Sequence, residues 1–212
     1  MTFHRFSFDE LPMNLLTNKQ VLFDYWAPVY DCLLTTVFYQ AVHQRLLEFV
    51  SLPEPAHVLD LGCGTGKLLN RLATIFPALT GVGCDFSDVM LQAAIANNQY
   101  PERLTWQQAD ASQLPFIDQQ FAAVFVTFSF LHYPQPQQTC RELARVLQPG
   151  GSFYLVDLGL RSWSGRLPVS PQGIALYGPN QREELAAAVG LELGQHQVLL
   201  GPVLLSQFVK PG

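Results

Sequence analysis

Residues 58–69 read VLDLGCGTGKLL, an apolar run that closes on the carboxylate of Asp60 and runs straight into Gly62, Gly64 and Gly66 at alternate positions. Glycines placed like this can take positive φ and let another group lie against the backbone. In an open α/β sheet, ligands bind outside the carboxyl ends of the strands, at the turn where a strand feeds its helix. The stretch therefore predicts a strand, a tight turn and a helix, and places a binding site at the turn.

The same beat continues along the chain. Apolar runs that read as strands are HVLDLG (57–62), LTGVGCD (79–85), LTWQQAD (104–110), AAVFVTF (122–128) and GSFYLVDL (151–158). Between them lie the helical segments GKLLNRLATIF (66–76), SDVMLQAAIANN (87–98) and PQQTCRELARVL (136–147). Strands alternating with helices imply βαβ units, right-handed crossovers and a parallel sheet covered on both faces. The predicted fold is an α/β, Rossmann-like sheet with helices on both faces. Before residue 50 no strand is expected. Residues 21–50 read as one or two amphipathic helices, with Pro28 breaking or starting one, so a single domain is expected with a helical cap (1–50) on an α/β core (51–212). Beyond Asp157 a Gly-, Pro- and Ser-rich stretch precedes a helix at 181–190. Two apolar runs around Gly201-Pro202 then suggest a hairpin closing the sheet edge.

Composition narrows the function. A formal net charge of -5, with 12 Lys plus Arg and no basic cluster, argues against nucleic acid as the main partner. Cys32, Cys63, Cys84 and Cys140 form no CxxC pair and have no His at ligand spacing, so neither a metal site nor a disulfide framework is predicted. The start of the chain lacks a signal-peptide pattern, and its longest apolar stretch falls short of a membrane span, so a cytoplasmic protein with no integral membrane segment is expected. The oligomeric state is left open.

The glycine spacing is G-x-G-x-G rather than the dinucleotide pattern G-x-G-x-x-G. Asp60 beside the turn would suit an ammonium group and disfavour a pyrophosphate, while amides at the start of the following helix would suit an anion. Asp85, ending the second strand, can accept hydrogen bonds from the hydroxyls of an unphosphorylated ribose. Alternatively it could cap the next helix, a task for which Ser87 is equally good. Asp110, ending the third strand, can accept from an exocyclic amine such as that of adenine, or simply shape a turn. Phe86 and Met90 are apolar enough to sandwich a purine. A ligand that joins an amino acid to adenosine is S-adenosylmethionine.

On the motifs VLDLGCGTG, GCDFSDVML, QQADASQLPF, FSFLHY and ELARVLQPGGSFYLVD, the chain from about residue 20 resembles the class I S-adenosylmethionine-dependent methyltransferases. Its FDYWAPVYD segment is similar to the cap of the quinone-biosynthesis C-methyltransferases and their small-molecule relatives. The resemblance implies a seven-stranded, mostly parallel sheet with an antiparallel last strand. It also implies cofactor over strands one to three, at Asp60, Gly62, Cys63, Gly64, Gly66, Asp85, Phe86, Met90, Asp110, Ala111 and Phe128, and substrate over strands four and five. Cys63 would contribute its backbone amide. The chain departs from the family's usual pattern at Phe121-Ala122, at Tyr133, and in a short segment after strand five that lacks a large covering insertion.

His132 follows strand four and could take a proton from a phenol or carbon acid, or could simply pack beneath the YPQP turn. Tyr25, Trp26 and Tyr30 of the cap, with His132 and Tyr133, are the candidate substrate residues; such aromatics either fill a core or line an apolar pocket. Phe128 and Phe130 are expected to point the same way by strand alternation. The expected activity is methyl transfer to a small apolar acceptor, quinol-like or another metabolite. Two rivals are an inactive cofactor-binding partner subunit and a nicotinamide oxidoreductase, the latter disfavoured by the position of the third glycine.

Overall fold

The computed structural model describes residues 33–159, 165–167 and 174–212. Tyr25, Trp26, Tyr30, Pro28 and Cys32 lie outside the described residues, so the expectations placed on them are not addressed. Helix α1, Leu33–Leu47, leads to β1 (His57–Leu61), α2 (Lys67–Ile75), β2 (Thr80–Asp85), α3 (Asp88–Ala96), β3 (Leu104–Gln108) and β4 (Phe121–Thr127). A 3-10 turn over Phe130–His132 precedes α4 (Pro136–Val146), β5 (Leu147–Leu158), β6 (Gly165–Leu167), β7 (Ile174–Leu176), α5 (Pro179–Ala187), β8 (Glu192–Leu200) and β9 (Val203–Val209).

Seven strands form one sheet in the order β3-β2-β1-β4-β5-β9-β8. β1 to β5 are parallel to their neighbours, and β9 enters antiparallel between β5 and β8. The order reverses at β1, so the β1–β4 crevice is the switch point at which open sheets bind ligands. The expected edge hairpin is β8–β9, with β9, the more apolar strand, on the inside. Val203, Leu204 and Leu205 are buried there, whereas β8 leaves Leu193, Val198 and Leu200 exposed.

The sheet's two faces carry separate cores. On one, Leu59, Leu61, Val124 and Val126 pack with Leu143 and Ala144 of α4 and Ala186 of α5. On the other, Val58, Phe125 and Val156 pack with Leu68, Leu69 and Leu72 of α2 and Val42 and Leu46 of α1. β4 is buried at every position but its last, as the unbroken apolar run predicts for a strand covered on both sides. Pro136 opens α4, where a missing N–H costs nothing.

The segment after β5 folds partly into an antiparallel ribbon, in which Gly165–Leu167 pairs with Ile174–Leu176. β7 packs against the 3-10 turn, and just beyond it the Tyr177 ring meets Phe130 edge-on at 5.2 Å. The described part of this short segment thus packs against the turn that follows β4. Behind it, Arg182 is 2% exposed and donates to the carbonyls of Tyr177, Leu155, Leu204, Asp157 and Leu158 and to Ser206 Oγ. These acceptors make the buried guanidinium tolerable, and they lock α5 to the ends of β5 and β9. Among the described residues, no helix is long and apolar enough to cross a membrane.

Candidate cofactor and acceptor site

A cleft of about 380 Å³ opens at the carboxyl ends of β1, β2 and β4. Leu61, Gly62 and Gly64 of the glycine turn form its floor; Asp85, Phe86 and Met90 form one wall, with Ala109, Asp110, Ala111 and Ser112 beside them. Thr127, Phe128, Ser129, His132 and Tyr133 form the opposite wall. Segments remote in sequence therefore meet at one place. Asp60, Cys63 and Gly66 stand behind the floor rather than on it.

All three motif glycines have positive φ, at 73°, 52° and 78° for Gly62, Gly64 and Gly66, but three different constraints act on them. A Cβ on Gly62 would sit 2.4 Å from Ser129 Cβ, and one on Gly66 would sit 2.5 Å from the Trp106 ring. A Cβ on Gly64 would meet nothing within 4 Å among the described residues. Gly62 and Gly66 are therefore small because of the protein itself, while Gly64 faces open cleft. Gly83 on β2 completes the socket for Trp106, since a Cβ there would lie 2.3 Å from the indole.

The turn's amides are less available than the sequence suggested. Gly62 and Cys63 donate to Cys84 O at 2.7 and 2.9 Å, Gly66 donates to Cys63 O at 3.0 Å, and Gly64 donates to Asp85 Oδ2 at 2.9 Å. The other oxygen of Asp85 accepts from Ser87 N at 2.9 Å. Ser87, not Asp85, caps α3, accepting from Met90 N at 3.3 Å. Asp85 is thus held at the rim of the cleft by two backbone donors.

Asp60 is different. Opposite Gly83 of β2 and Phe125 of β4, it is 1% exposed, and neither carboxylate oxygen has a hydrogen-bond partner among the described residues. Burial, and then the charge of Asp85, push its carboxyl up to about 7. Burial likewise raises the thiol of Cys63, and takes that of Cys84 to about 12. Neither thiol is therefore ionised near neutral pH.

Asp110 accepts both the amide and the hydroxyl of Ser112 on Oδ1, at 2.7 Å each, which is turn chemistry. Oδ2 takes part in neither bond. Ala111 lines the cleft next to it, and Phe86 stands at the rim with 54% of its surface exposed, an unusual outlay for a phenyl ring unless something stacks on it. Met90 is buried below.

The opposite wall corrects one sequence expectation. Phe128 and Phe130 do not share a face: β4 ends at Thr127, and strand alternation ends with it. Phe128 takes φ 54°, a left-handed conformation that a bulky side chain seldom adopts, held by its amide bond to Val156 O at 2.8 Å. Its ring packs against Phe38 and Tyr39 of α1, with centroids 5.7 and 5.0 Å away. Phe130 is buried on the other face against Tyr133 and Tyr177. α1 thus touches the cleft wall through two rings, Phe38 and Tyr39.

Tyr133 lines the cleft, but its hydroxyl donates to Leu61 O at 3.2 Å and to Ser129 Oγ at 3.1 Å, while Ser129 Oγ donates to Leu61 O at 3.1 Å. The residue that departs from the family pattern thus ties the acceptor wall to the glycine turn. Burial raises its phenol well above the ordinary range. Asp157, at the end of β5, steadies the 3-10 turn that carries His132 by accepting from Leu131 N at 3.0 Å. Ser129 and Asp157 lie within the motifs FSFLHY and ELARVLQPGGSFYLVD, but neither is a candidate site residue by sequence, because each acts through contacts made across strands.

The geometry gives a cleft floored by a glycine turn and flanked by the carboxylates of Asp85 and Asp110. A methyltransferase domain is matched at residues 58–151, from β1 into the start of β5. The chain is 33% identical to a 2-phytyl-1,4-naphtoquinone methyltransferase of Thermosynechococcus vestitus over 67% of its own length and 65% of that protein. It is 36% identical to a demethylmenaquinone methyltransferase of Lactiplantibacillus plantarum over 67% of its own length and 63% of that protein. The chain thus spans slightly less than two thirds of these curated relatives. A solved Haloferax volcanii putative methyltransferase, determined in complex with the Trm112 methyltransferase activator, superposes with a TM-score of 0.80 at 22% identity, covering 90% of this chain and 98% of that one. The chain thus carries a methyltransferase domain and is similar to S-adenosylmethionine-dependent methyltransferases of class I.

The family's cofactor fits the residues present. The unpartnered Asp60 carboxylate lacks a cation or donor, Gly64 leaves room beside the backbone, and Asp85 offers acceptor oxygens at the rim.

Proposed function

We propose that the chain transfers a methyl group from S-adenosylmethionine to a small, apolar, quinol-like acceptor in the cytoplasm. When bound, the cofactor supplies a methyl group made electrophilic by its sulfonium, so the protein's part is to bind, orient and keep water out. Asp60 and the turn at Gly62, Cys63, Gly64 and Gly66 hold the amino-acid end. Asp85 holds the ribose, while Phe86, Met90, Asp110 and Ala111 hold the adenine.

The observation that carries the acceptor class is the division of the cleft. Carboxylates stand on the β1–β3 side. Phe128, which the resemblance set among the cofactor residues, is read here as part of the acceptor wall: backed by Phe38 and Tyr39, it stands on the β4 side with Pro134 and Tyr133, and no Arg or Lys lines the cleft among the described residues. A charged acceptor would ordinarily meet a guanidinium or ammonium there. Among curated relatives, the two quinone methyltransferases support the same class. His132 is the candidate proton acceptor: as the acceptor's hydroxyl ionises, its imidazole takes the proton, and Asp157 keeps the turn in place through Leu131.

The test is incubation with methyl-labelled cofactor and a panel of reduced naphthoquinones, phenols, amines and carboxylates. Label should enter the naphthoquinols, and His132→Ala should lower that transfer while leaving S-adenosylhomocysteine affinity unchanged. Transfer to charged amines alone would refute the acceptor class. Cofactor binding with no transfer to any acceptor would favour the inactive partner subunit.

A further inference from the structure

Two carboxylates flank the glycine turn, Asp85 on the cleft wall and Asp60 just behind the floor, and their surroundings differ. Both oxygens of Asp85 accept backbone amides, from Gly64 and Ser87, whereas Asp60 is buried and neither of its oxygens has a hydrogen-bond partner among the described residues. The titratable groups acting on this cluster are Cys84 of β2, Cys63 of the turn and Tyr133 beyond the 3-10 turn, each held in its protonated, uncharged form by burial. None of the three can neutralise a carboxylate. A buried carboxylate with no donor and a second carboxylate nearby is stable only if it carries a proton.

We propose that the ligand-free turn stores a proton on Asp60 and that a ligand ammonium seated against this carboxylate replaces it, so that cofactor binding releases one proton. The inference rests on the cofactor reading given above. The carboxyl O–H bond breaks, its proton passes to solvent, and an N–H of the ammonium becomes the donor that Asp60 lacks. A pH dependence follows. With the free carboxyl near 7, release is greatest below that value and vanishes above it, where Asp60 is already ionised.

Calorimetric titration of S-adenosylhomocysteine, repeated in buffers of different ionisation enthalpy, counts the protons directly. The expected result is close to one proton released at about pH 6, falling towards none at about pH 8.5, with affinity rising up to about tenfold per pH unit over the acid range. 5′-Methylthioadenosine, which keeps the nucleoside and thioether but has no ammonium, should bind with no release. Asp60→Asn should abolish the release and flatten the pH dependence; the wild-type count stands even if that variant fails to fold. Binding of S-adenosylhomocysteine without release at about pH 6, or release that persists in Asp60→Asn, would overturn the proposal and leave the cofactor reading intact. No binding of S-adenosylhomocysteine at any pH would overturn both.

Discussion

At the β1–β3 end of the cleft, Asp85 is pinned by two backbone amides and Gly64 faces open space. At the β4 end, the wall is a strained Phe128 braced by two rings of α1 and a 3-10 turn steadied by Asp157. The first end is built almost wholly from strand ends and backbone bonds within residues 57–113. The second is assembled from α1, β4, β5 and the β6–β7 ribbon, segments far apart in the chain. Backbone geometry of the first kind suits one ligand, whereas a wall of side chains can be re-lined without disturbing the sheet. One end should therefore govern cofactor affinity and the other acceptor choice.

The largest effect should come from Gly64→Val, which puts a branched side chain into open cleft. S-adenosylhomocysteine affinity should fall by roughly a hundredfold or more, above about 2.7 kcal/mol. The folded state should lose about 1–2 kcal/mol because valine resists φ 52°. Titration and a thermal melt read the two separately, and normal affinity in a folded variant would remove the turn from the site. Next, Asp85→Ala should weaken the same ligand by about 1.5–3 kcal/mol, the range for hydrogen bonds to a charged acceptor. An unchanged dissociation constant would take Asp85 out of the site.

Phe128→Ala should act on the other end, lowering kcat/KM for a naphthoquinol about tenfold, near 1.4 kcal/mol, with cofactor affinity preserved. If cofactor affinity fell instead and acceptor kinetics held, the division of labour would be wrong. The smallest effect is one of stability. A carboxyl raised in the folded state contributes stability below its unfolded value, and that contribution is lost as pH rises through the folded value. Asp60 therefore destabilises the ligand-free protein increasingly from about pH 4 to pH 7. Asp60→Asn should stabilise the ligand-free protein at about pH 8 by on the order of 1 kcal/mol after relaxation of the site, read as a raised melting temperature, and should have little effect near pH 4. His43 works in the opposite direction. Burial, with Arg71 and Lys67 nearby, lowers its imidazole to about 3, so its contribution is present above about pH 6.5 and is lost as pH falls towards 3.

The same contrast explains what the sequence made legible. Strand runs, the glycine turn and the Asp60–Asp85 spacing are local patterns fixed by periodicity and conformational need, and each falls within a residue or two of its expected place except β5, which begins at Leu147, four residues before the run read as a strand. The antiparallel last strand followed from the family resemblance, whereas its position between β5 and β8 was not expected. The apolar run could show only that the hairpin is buried on one side. Three features escaped local reading. Phe128 turns left-handed because Val156 O captures its amide, which no spacing encodes. Gly66 and Gly83 are small to accommodate Trp106 from a neighbouring strand. The β6–β7 ribbon is three residues per strand, too short for periodicity to signal.

The central claim is that the β1–β3 end binds an adenosine-linked amino acid. Calorimetric titration of the wild-type protein with S-adenosylhomocysteine, set against NAD under the same conditions, tests it most directly. One saturable site for S-adenosylhomocysteine and no heat from NAD is the predicted result; saturable NAD binding with none for S-adenosylhomocysteine would contradict it.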